Sequence, residues 1–269
     1  MIVYPEVAEP LAGWLSDRLG ADVAIADLKR HAEGFSWQTY TLTASWEESG
    51  AARSQGYAVR REPEDGLLAP YDVEAQYRIH RAVLDHSDVP MPDLFWLETD
   101  PGVLGMPFYV MERMEGVVPV QWRGKDPEIF PTDEARREIG LDFVDVLARI
   151  HAIDVDAAGL RDLGPETDPE AAVRREIDFW ESFYEDNFLL EVPLLRFIAG
   201  WLRRNIATSG RIGLVHGDYR IGNFMLGADR RINAVFDWEL AHVGDPVEDL
   251  GWLCLRAWRF GNDALAVGG

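Results

Sequence analysis

The chain has 269 residues and a formal net charge of −21, from 26 Lys plus Arg against 47 Asp plus Glu. Hydrophobic residues make up 47% of it, which is enough for a full core and excludes an intrinsically disordered protein. The acidic balance argues against a nucleic-acid or an anionic-membrane partner, because both carry dense negative charge. A cationic substrate would be attracted, although acidic surfaces more often serve solubility alone.

Cysteine usage and the N-terminal residues predict the compartment. The single cysteine, Cys254, cannot form an intrachain disulfide, which favours a reducing environment. The N-terminus has no basic segment ahead of an apolar one, and no apolar run reaches the roughly 18 residues of a membrane span. We therefore expect a cytoplasmic protein without a secretion signal or a transmembrane helix.

The N-terminal part of the sequence predicts one leading helix and then a small sheet. Apolar residues at helical spacing predict a helix over 10–20 that ends at Gly20. A second helix is predicted over 72–85, with Asp72 as its N-cap. Alternating and apolar runs predict five strands, at 23–31, 38–46, 55–61, 94–98 and 108–112.

From residue 115 onward the pattern becomes mainly helical. Three-to-four spacing predicts helices over 132–151, 170–185 and 192–206. Asp245-Pro246 predicts the start of a last helix that continues through Trp258. The predicted fold class is therefore α+β, with an N-terminal lobe at 1–114 and a helical C-terminal lobe at 115–269.

The stretch from 214 to 239 carries the strongest functional signal. It reads Leu-Val-His-Gly-Asp-Tyr-Arg-Ile-Gly-Asn and, after a turn-like Gly-Ala-Asp-Arg-Arg, Val-Phe-Asp-Trp-Glu. Asp218 is a candidate base for a hydroxyl proton, and Asn223 and Asp237 are candidate oxygen ligands of Mg²⁺ on a triphosphate. The alternative is a polar hairpin whose Asp and Asn only form turns. That alternative suits Asp229 but not a carboxylate directly after the apolar 234–236.

These residues resemble the aminoglycoside phosphotransferase and choline kinase-like family, and within it the kinase-like domain of certain acyl-CoA dehydrogenases. The likeness is strongest over 212–253, fair over 34–112 and weak over 115–210. It implies a protein-kinase-like bilobal fold, whose N-terminal lobe holds a five-stranded antiparallel sheet and binds nucleotide. It also implies ATP- and Mg²⁺-dependent phosphorylation of a hydroxyl group on a small molecule. The acceptor and the preference for ATP over GTP stay open.

The resemblance also implies a nucleotide site in the N-terminal lobe. Gly34 and Ser36 lie where a phosphate-covering loop is expected. Arg60 stands where kinases usually carry a lysine that holds the phosphates, and Lys29 is the other candidate for that cation. Main-chain groups from Glu112 to Met114 are expected to bind adenine.

Three further residues lie within the stretch from 214 to 239 or shortly after it. His216 is interpreted as a structural residue that shapes the loop. Asp249 is expected to accept backbone hydrogen bonds from that loop. Glu239 is expected either to approach a second metal ion or the substrate, or to lie on the surface.

Two features depart from the family pattern. The helix over 72–85 carries Gln76 where a carboxylate is expected, and Glu74 lies on roughly the opposite face, so which of them supports Arg60 stays open. Relatives usually continue with further C-terminal helices, so the chain is expected to be short at that end.

Two other functions therefore stay open. A pseudokinase would bind ATP without turnover, and Arg60, Gln76 and the short end favour it. A metal-dependent hydrolase would use His216, Asp218 and Asp237 as ligands and would act without nucleotide. The oligomeric state is not indicated by the sequence.

Overall fold

A computed structural model of the chain describes residues 4–31, 37–66, 68–119, 129–188, 190 and 192–255. Its contacts divide the chain into an N-terminal unit, residues 1–81 and 91–115, and a C-terminal unit, residues 82–90 and 116–269. None of the described helices is long and apolar enough to cross a membrane. The functional assignment of the two predicted lobes stays a prediction.

The N-terminal unit contains a five-stranded antiparallel sheet in the spatial order β1-β2-β3-β5-β4. Its strands are β1 (Ala24–His31), β2 (Gln38–Glu48), β3 (Ala51–Arg61), β4 (Leu94–Glu98) and β5 (Phe108–Glu112). Helix α1 (Pro5–Leu19) precedes the sheet, and α2 (Val73–His86) follows β3. The strands and the helix after the third strand follow the predicted order.

Helix α1 covers one face of the sheet. Its buried Val7, Leu11, Trp14 and Leu15 join one hydrophobic core with residues of β2, β3 and β5. The helix ends at Gly20 as predicted, with φ 65°, a conformation that glycine adopts without steric cost. It begins earlier than predicted, at Pro5, because proline is well suited to the first turn of a helix.

Strands β2 and β3 are also longer than predicted. Their pairing runs from Gln38 opposite Arg61 to Glu48 opposite Ala51. Ser49 and Gly50, with φ values of 54° and 79°, join the two strands. Two consecutive residues with positive φ form the tight turn that matches the twist of a hairpin. This turn replaces the longer loop that the sequence predicted.

The C-terminal unit combines four helices with two short antiparallel strand pairs in its described part. The helices are α3 (Asp133–His151), α4 (Pro169–Asn187), α5 (Pro193–Arg204) and α6 (Val247–Cys254). The strands are β6 (Gly213–Val215), β7 (Phe224–Leu226), β8 (Ile232–Val235) and β9 (His242–Gly244), paired as β6-β9 and β7-β8.

The helix boundaries follow from local capping. The side chain of Thr132 accepts a hydrogen bond from the Ala135 N–H at the start of α3, and Asp168 does the same for Ala171 at α4. Helix α6 ends at Cys254, since the following Leu255, with φ −58° and ψ 123°, leaves the helical conformation. The rest of the predicted helix, through Trp258, lies outside the described residues.

Helix α3 supports the segment between β6 and β8. The buried Asp142 accepts a hydrogen bond from the Ile232 N–H at 2.7 Å, and the Tyr219 hydroxyl donates to the Phe143 carbonyl at 2.8 Å. The rings of Phe143 and Tyr219 stack at 4.4 Å. The loop that contains Asp218 is therefore fixed on helix α3.

Candidate active site

The Asp218 carboxylate is held by three hydrogen-bond donors. Its Oδ1 accepts hydrogen bonds from Arg220 Nε at 3.0 Å and from Trp252 Nε1 at 2.8 Å. Its Oδ2 accepts one from Asn223 Nδ2 at 2.7 Å. The side chain is only 15% exposed. The carboxylate thus has one fixed orientation, which a base needs if it is to meet a hydroxyl proton.

Asn223 and Asp237 are brought to the same end of the β7-β8 pair. The Phe236 N–H donates to the Asn223 carbonyl at 2.8 Å, and Asp237 follows directly. Asp237 has φ 64°, a left-handed conformation that Asp enters more readily than most residues with a side chain. Asn223 Nδ2 also donates to the main-chain oxygen of Asp218 at 2.8 Å, so the Oδ1 of Asn223 is the atom suited to a cation.

His216 connects the Asp218 loop to the strand before Asp237. Its ring is fully buried, Nε2 donates to the Phe236 carbonyl at 2.9 Å, and Nδ1 accepts the Asp218 N–H at 3.2 Å. Only the neutral ring makes both bonds. Burial lowers the pKa of His216, although nearby carboxylates oppose that shift. The predicted structural role of His216 is confirmed by these contacts.

The side chain of Asp249, on α6, binds the backbone of the loop that contains Asp218. It is fully buried and accepts the N–H groups of His216 at 3.0 Å and Gly217 at 2.9 Å, which confirms the role predicted for it. Burial acts to raise the pKa of Asp249, but its hydrogen bond with His151, at 2.8 Å, helps to bring it below the usual value. Gly217 has φ 81°, and a Cβ there would lie 2.5 Å from the Leu240 carbonyl oxygen. Only glycine fits this position.

A cavity of about 290 Å³ lies beside the loop. Its lining includes Gly217, the residue before Asp218, and Glu239, two residues after Asp237. Further lining residues from α4, β9 and α6 are Arg175, Glu176, Phe179, Trp180, His242 and Glu248. The cavity is thus built partly from the region over 115–210, where the sequence offered no motif.

Most charges in this cavity are paired with one another. Arg175 forms ion pairs with Glu166 and Glu176. His242 Nε2 lies 3.2 Å from Glu248 Oε2 and 3.6 Å from Glu176 Oε1. Burial acts to lower the pKa of His242, but the two carboxylates raise it to about 9. Glu176, His242 and Glu248 are close enough to hold a metal ion, yet the protonated imidazole makes them an ion-pair cluster at neutral pH.

The predicted phosphate-binding residues belong to the N-terminal unit. Gly34 and Ser36 lie outside the described residues. Arg60 is on β3, half-buried, with its guanidinium carbon 5.4 Å from the ring centroid of Trp37. Lys29 is on β1, whose residues are mostly exposed.

Helix α2 presents Gln76, not Glu74, on its buried side. Gln76 is 8% exposed, whereas Glu74 is exposed to solvent. His80 lies one turn after Gln76 and therefore on the same face. Burial is the main cause that lowers the pKa of His80 to about 4, and the charge of Arg60 contributes. The face of α2 that is near Arg60 thus carries an amide and a neutral imidazole.

The predicted adenine-binding segment begins at the end of β5. The Glu112 N–H already donates to the Asp93 carbonyl at 2.8 Å, and the Arg113 N–H donates to Gly56 at 3.2 Å. Met114, the next residue, is half-buried. A ligand at this segment could therefore donate a hydrogen bond to the Glu112 carbonyl or form one with the main chain of Met114.

Sequence reasoning missed two residues that contact Asp218. Trp252 lies three residues after Asp249, on the same face of α6, and this spacing could have identified it. Arg220 lies two residues after Asp218 in a loop, where no periodicity indicates the direction of a side chain.

Comparison with known proteins identifies the family. Residues 27–269 match the profile of the phosphotransferase enzyme family. The chain belongs to this family. "Probable acyl-CoA dehydrogenase IBR3" of Arabidopsis thaliana is 34% identical over 210 residues, which are 74% of this chain and 25% of that protein. This phosphotransferase-family chain therefore spans about a quarter of that relative.

Solved structures confirm the predicted α+β, protein-kinase-like fold of this family member. A candidate aminoglycoside phosphotransferase from Ralstonia eutropha is 27% identical with a TM-score of 0.67, covering 90% of this chain and 68% of that chain. A thermostable variant of aminoglycoside phosphotransferase APH(4)-Ia, in a ternary complex with ADP and hygromycin B, is 20% identical with a TM-score of 0.55. That match covers 90% of this chain and 75% of the other.

Proposed function

We propose that the chain is an ATP- and Mg²⁺-dependent phosphotransferase that acts on a hydroxyl group of a small molecule. The observation that carries this proposal is the Asp218 carboxylate, oriented by three donors and linked through His216 to the strand that precedes Asp237. Membership in the phosphotransferase family supports it. The complex of APH(4)-Ia with ADP supports an adenine nucleotide as the phosphoryl donor.

In the proposed reaction Asp218 is the base. The oxygen of the acceptor hydroxyl forms a bond to the γ-phosphorus of ATP, and the bond from that phosphorus to the bridging oxygen breaks. The electron pair leaves with ADP, and the hydroxyl proton moves to Asp218. Asn223 and Asp237 offer the oxygen donors that Mg²⁺ prefers, so the donor set fits this ion. When bound, Mg²⁺ would neutralise charge on the phosphates.

The N-terminal unit is proposed to bind the nucleotide. Gly34 and Ser36 would cover the phosphates with main-chain N–H groups, and Arg60 would bind the α- and β-phosphates through its planar fork. The Glu112 carbonyl and the main chain of Met114 would bind adenine, since two neighbouring N–H groups are already used.

The cavity beside the Asp218 loop is proposed to receive the acceptor. Gly217 and Glu239 in its lining adjoin the segments that carry Asp218 and Asp237. A volume of about 290 Å³ is near the lower end of small-molecule sites.

A nucleotide-binding protein without turnover is the second candidate function. Gln76 occupies the buried face of α2 where the family pattern has a carboxylate, and an amide orients a cation more weakly than a charge does. This candidate predicts Mg-ATP binding with no ATP consumption in the presence of any acceptor.

An assay of phosphate transfer from ATP across a panel of hydroxyl compounds tests the proposal. ATP-dependent product formation with at least one compound is the expected result. The pseudokinase would bind ATP without product, and the metal-dependent hydrolase would act equally well without nucleotide. Asp229→Asn is the matched control for Asp218→Asn, because Asp229 is an exposed turn residue on the same segment.

A further inference from the structure

The two oxygens of the Asp218 carboxylate have different surroundings. Oδ1 accepts two hydrogen bonds, from Trp252 Nε1 and Arg220 Nε, whereas Oδ2 accepts one, from Asn223 Nδ2, among the described residues. Each carboxylate oxygen has about two lone pairs for hydrogen bonds. Oδ1 is therefore saturated, and Oδ2 keeps one position for a further donor.

Trp252 differs from the other two donors because it lies outside the loop. Arg220 and Asn223 are two and five residues from Asp218, while Trp252 is 34 residues away on α6. The same helix carries Asp249, which binds the backbone of the loop through two N–H groups. One helix thus fixes both the backbone of the loop and the direction of the Asp218 side chain.

The indole group suits this task chemically. The indole N–H is only a hydrogen-bond donor, so it can donate to the carboxylate but cannot accept the proton of the acceptor hydroxyl. Because the indole is uncharged, it adds no second positive charge to the one that Arg220 already places at Oδ1. Trp252 is half-buried, and its Nε1–H donates to Oδ1 of Asp218 at 2.8 Å.

We propose that Trp252 is a positioning residue, whose indole N–H, together with Arg220, occupies Oδ1 of Asp218 and leaves Oδ2 to receive the proton of the acceptor hydroxyl. The proposal rests on the proposed function, in which Asp218 is the base. In the transfer step the hydroxyl O–H bond breaks, its proton moves to Oδ2, and the oxygen bonds to the γ-phosphorus as ADP leaves.

The first test detects the hydrogen bond without any activity. In a ¹⁵N-¹H spectrum of the full chain, the Trp252 indole signal is assigned as the one that Trp252→Phe removes. Asp218→Ala should move this signal upfield, because it deletes the acceptor. The Trp14 indole, which donates to Glu98 at 2.6 Å in the N-terminal unit, should stay in place. An unmoved Trp252 signal in a folded Asp218→Ala protein would overturn the proposal.

The second test is a double-mutant cycle on turnover. Trp252→Phe should lower kcat roughly tenfold, as expected for a charge-assisted hydrogen bond, while the KM values for ATP and acceptor change less than about twofold. In the Asp218→Ala background the same substitution should change the residual rate by less than about twofold, because the two residues act as one unit. Trp14→Phe, which also removes an indole bond to a carboxylate, should leave kcat unchanged.

The outcomes separate this proposal from the proposed function. An equal loss from Trp252→Phe in both backgrounds would show that Trp252 only supports the fold and would refute its positioning role. If no compound of the panel is phosphorylated, the rate of ATP hydrolysis, in which water is the phosphoryl acceptor, is measured instead. A shifted indole signal with no ATP turnover of either kind would refute the proposed function, and with it the catalytic part of this inference.

Discussion

The His242 ion-pair cluster gives a prediction about stability and pH. His242 lies between Glu248 and Glu176, which raise its pKa from 6.5 to about 9 against the opposing effect of burial. The side chain is only 14% exposed, so solvent screens these interactions little. At about 1.4 kcal/mol per pKa unit, the shift corresponds to roughly 3 kcal/mol of free energy of unfolding.

The sign of the effect follows from the raised pKa. The folded state binds the proton more tightly than the unfolded state, so the stabilisation is fully present below about pH 6.5 and is lost as pH rises through about 9. Urea unfolding of the parent and of His242→Gln, followed at pH 6 to 10, measures it. The difference between the two proteins should shrink by roughly 3 kcal/mol over this range.

The measurement at pH 10 and the Glu248→Gln variant are the controls for this experiment. At pH 10 His242 is mostly neutral, so the remaining difference reports lost packing and the lost hydrogen bond to the Leu240 carbonyl. Glu248→Gln, which removes the nearer carboxylate, should show a weaker pH dependence than the parent. A difference between parent and His242→Gln that stays constant from pH 6 to 10 would refute the protonated cluster.

Three other predictions concern the proposed site. Asp237→Ala should abolish Mg²⁺-dependent ATP binding measured by calorimetry, because a carboxylate ligand is lost, whereas Asp229→Ala should not; equal Mg-ATP affinity of Asp237→Ala and parent would contradict the assignment. Arg60→Ala should weaken ATP binding about ten- to hundredfold and adenosine binding much less, since adenosine lacks phosphates. Collapse of ATP affinity in Lys29→Ala, with survival in Arg60→Ala, would move the phosphate-binding cation to β1. Gly217→Ala should lower turnover and thermal stability together, because its Cβ would lie 2.5 Å from the Leu240 carbonyl oxygen at φ 81°; a parent-like melting temperature and rate would show that the loop can shift.

The sequence predicted those features that depend on local pattern. The spacing of Leu11, Trp14 and Leu15 identified α1, and the alternation along 38–46 identified β2. The segment from His216 to Asp237 was identified because short apolar strands flank each polar residue. The structure brings Asp218 and Asn223 into direct contact.

The features that the sequence could not predict depend on distant contacts. Trp252 meets Asp218 across 34 residues, and α4 supplies the cavity wall that contains Arg175 and Glu176. No local periodicity encodes such meetings. The end of β2 at Glu48 and the start of β3 at Ala51 were missed for a different reason, since the two-residue turn at Ser49 and Gly50 can extend both strands through residues with weak strand preference.

The proposed function depends most on one step, in which Asp218 takes the proton of the acceptor hydroxyl while the γ-phosphoryl group of ATP is transferred. The most direct measurement compares kcat of the parent, Asp218→Asn and Asp229→Asn with the best acceptor of the hydroxyl panel, at saturating Mg-ATP. We predict a loss of about 10²-fold or more in Asp218→Asn, with nearly unchanged Mg-ATP affinity, and a parent-like rate in Asp229→Asn. Unchanged turnover in Asp218→Asn would contradict the account.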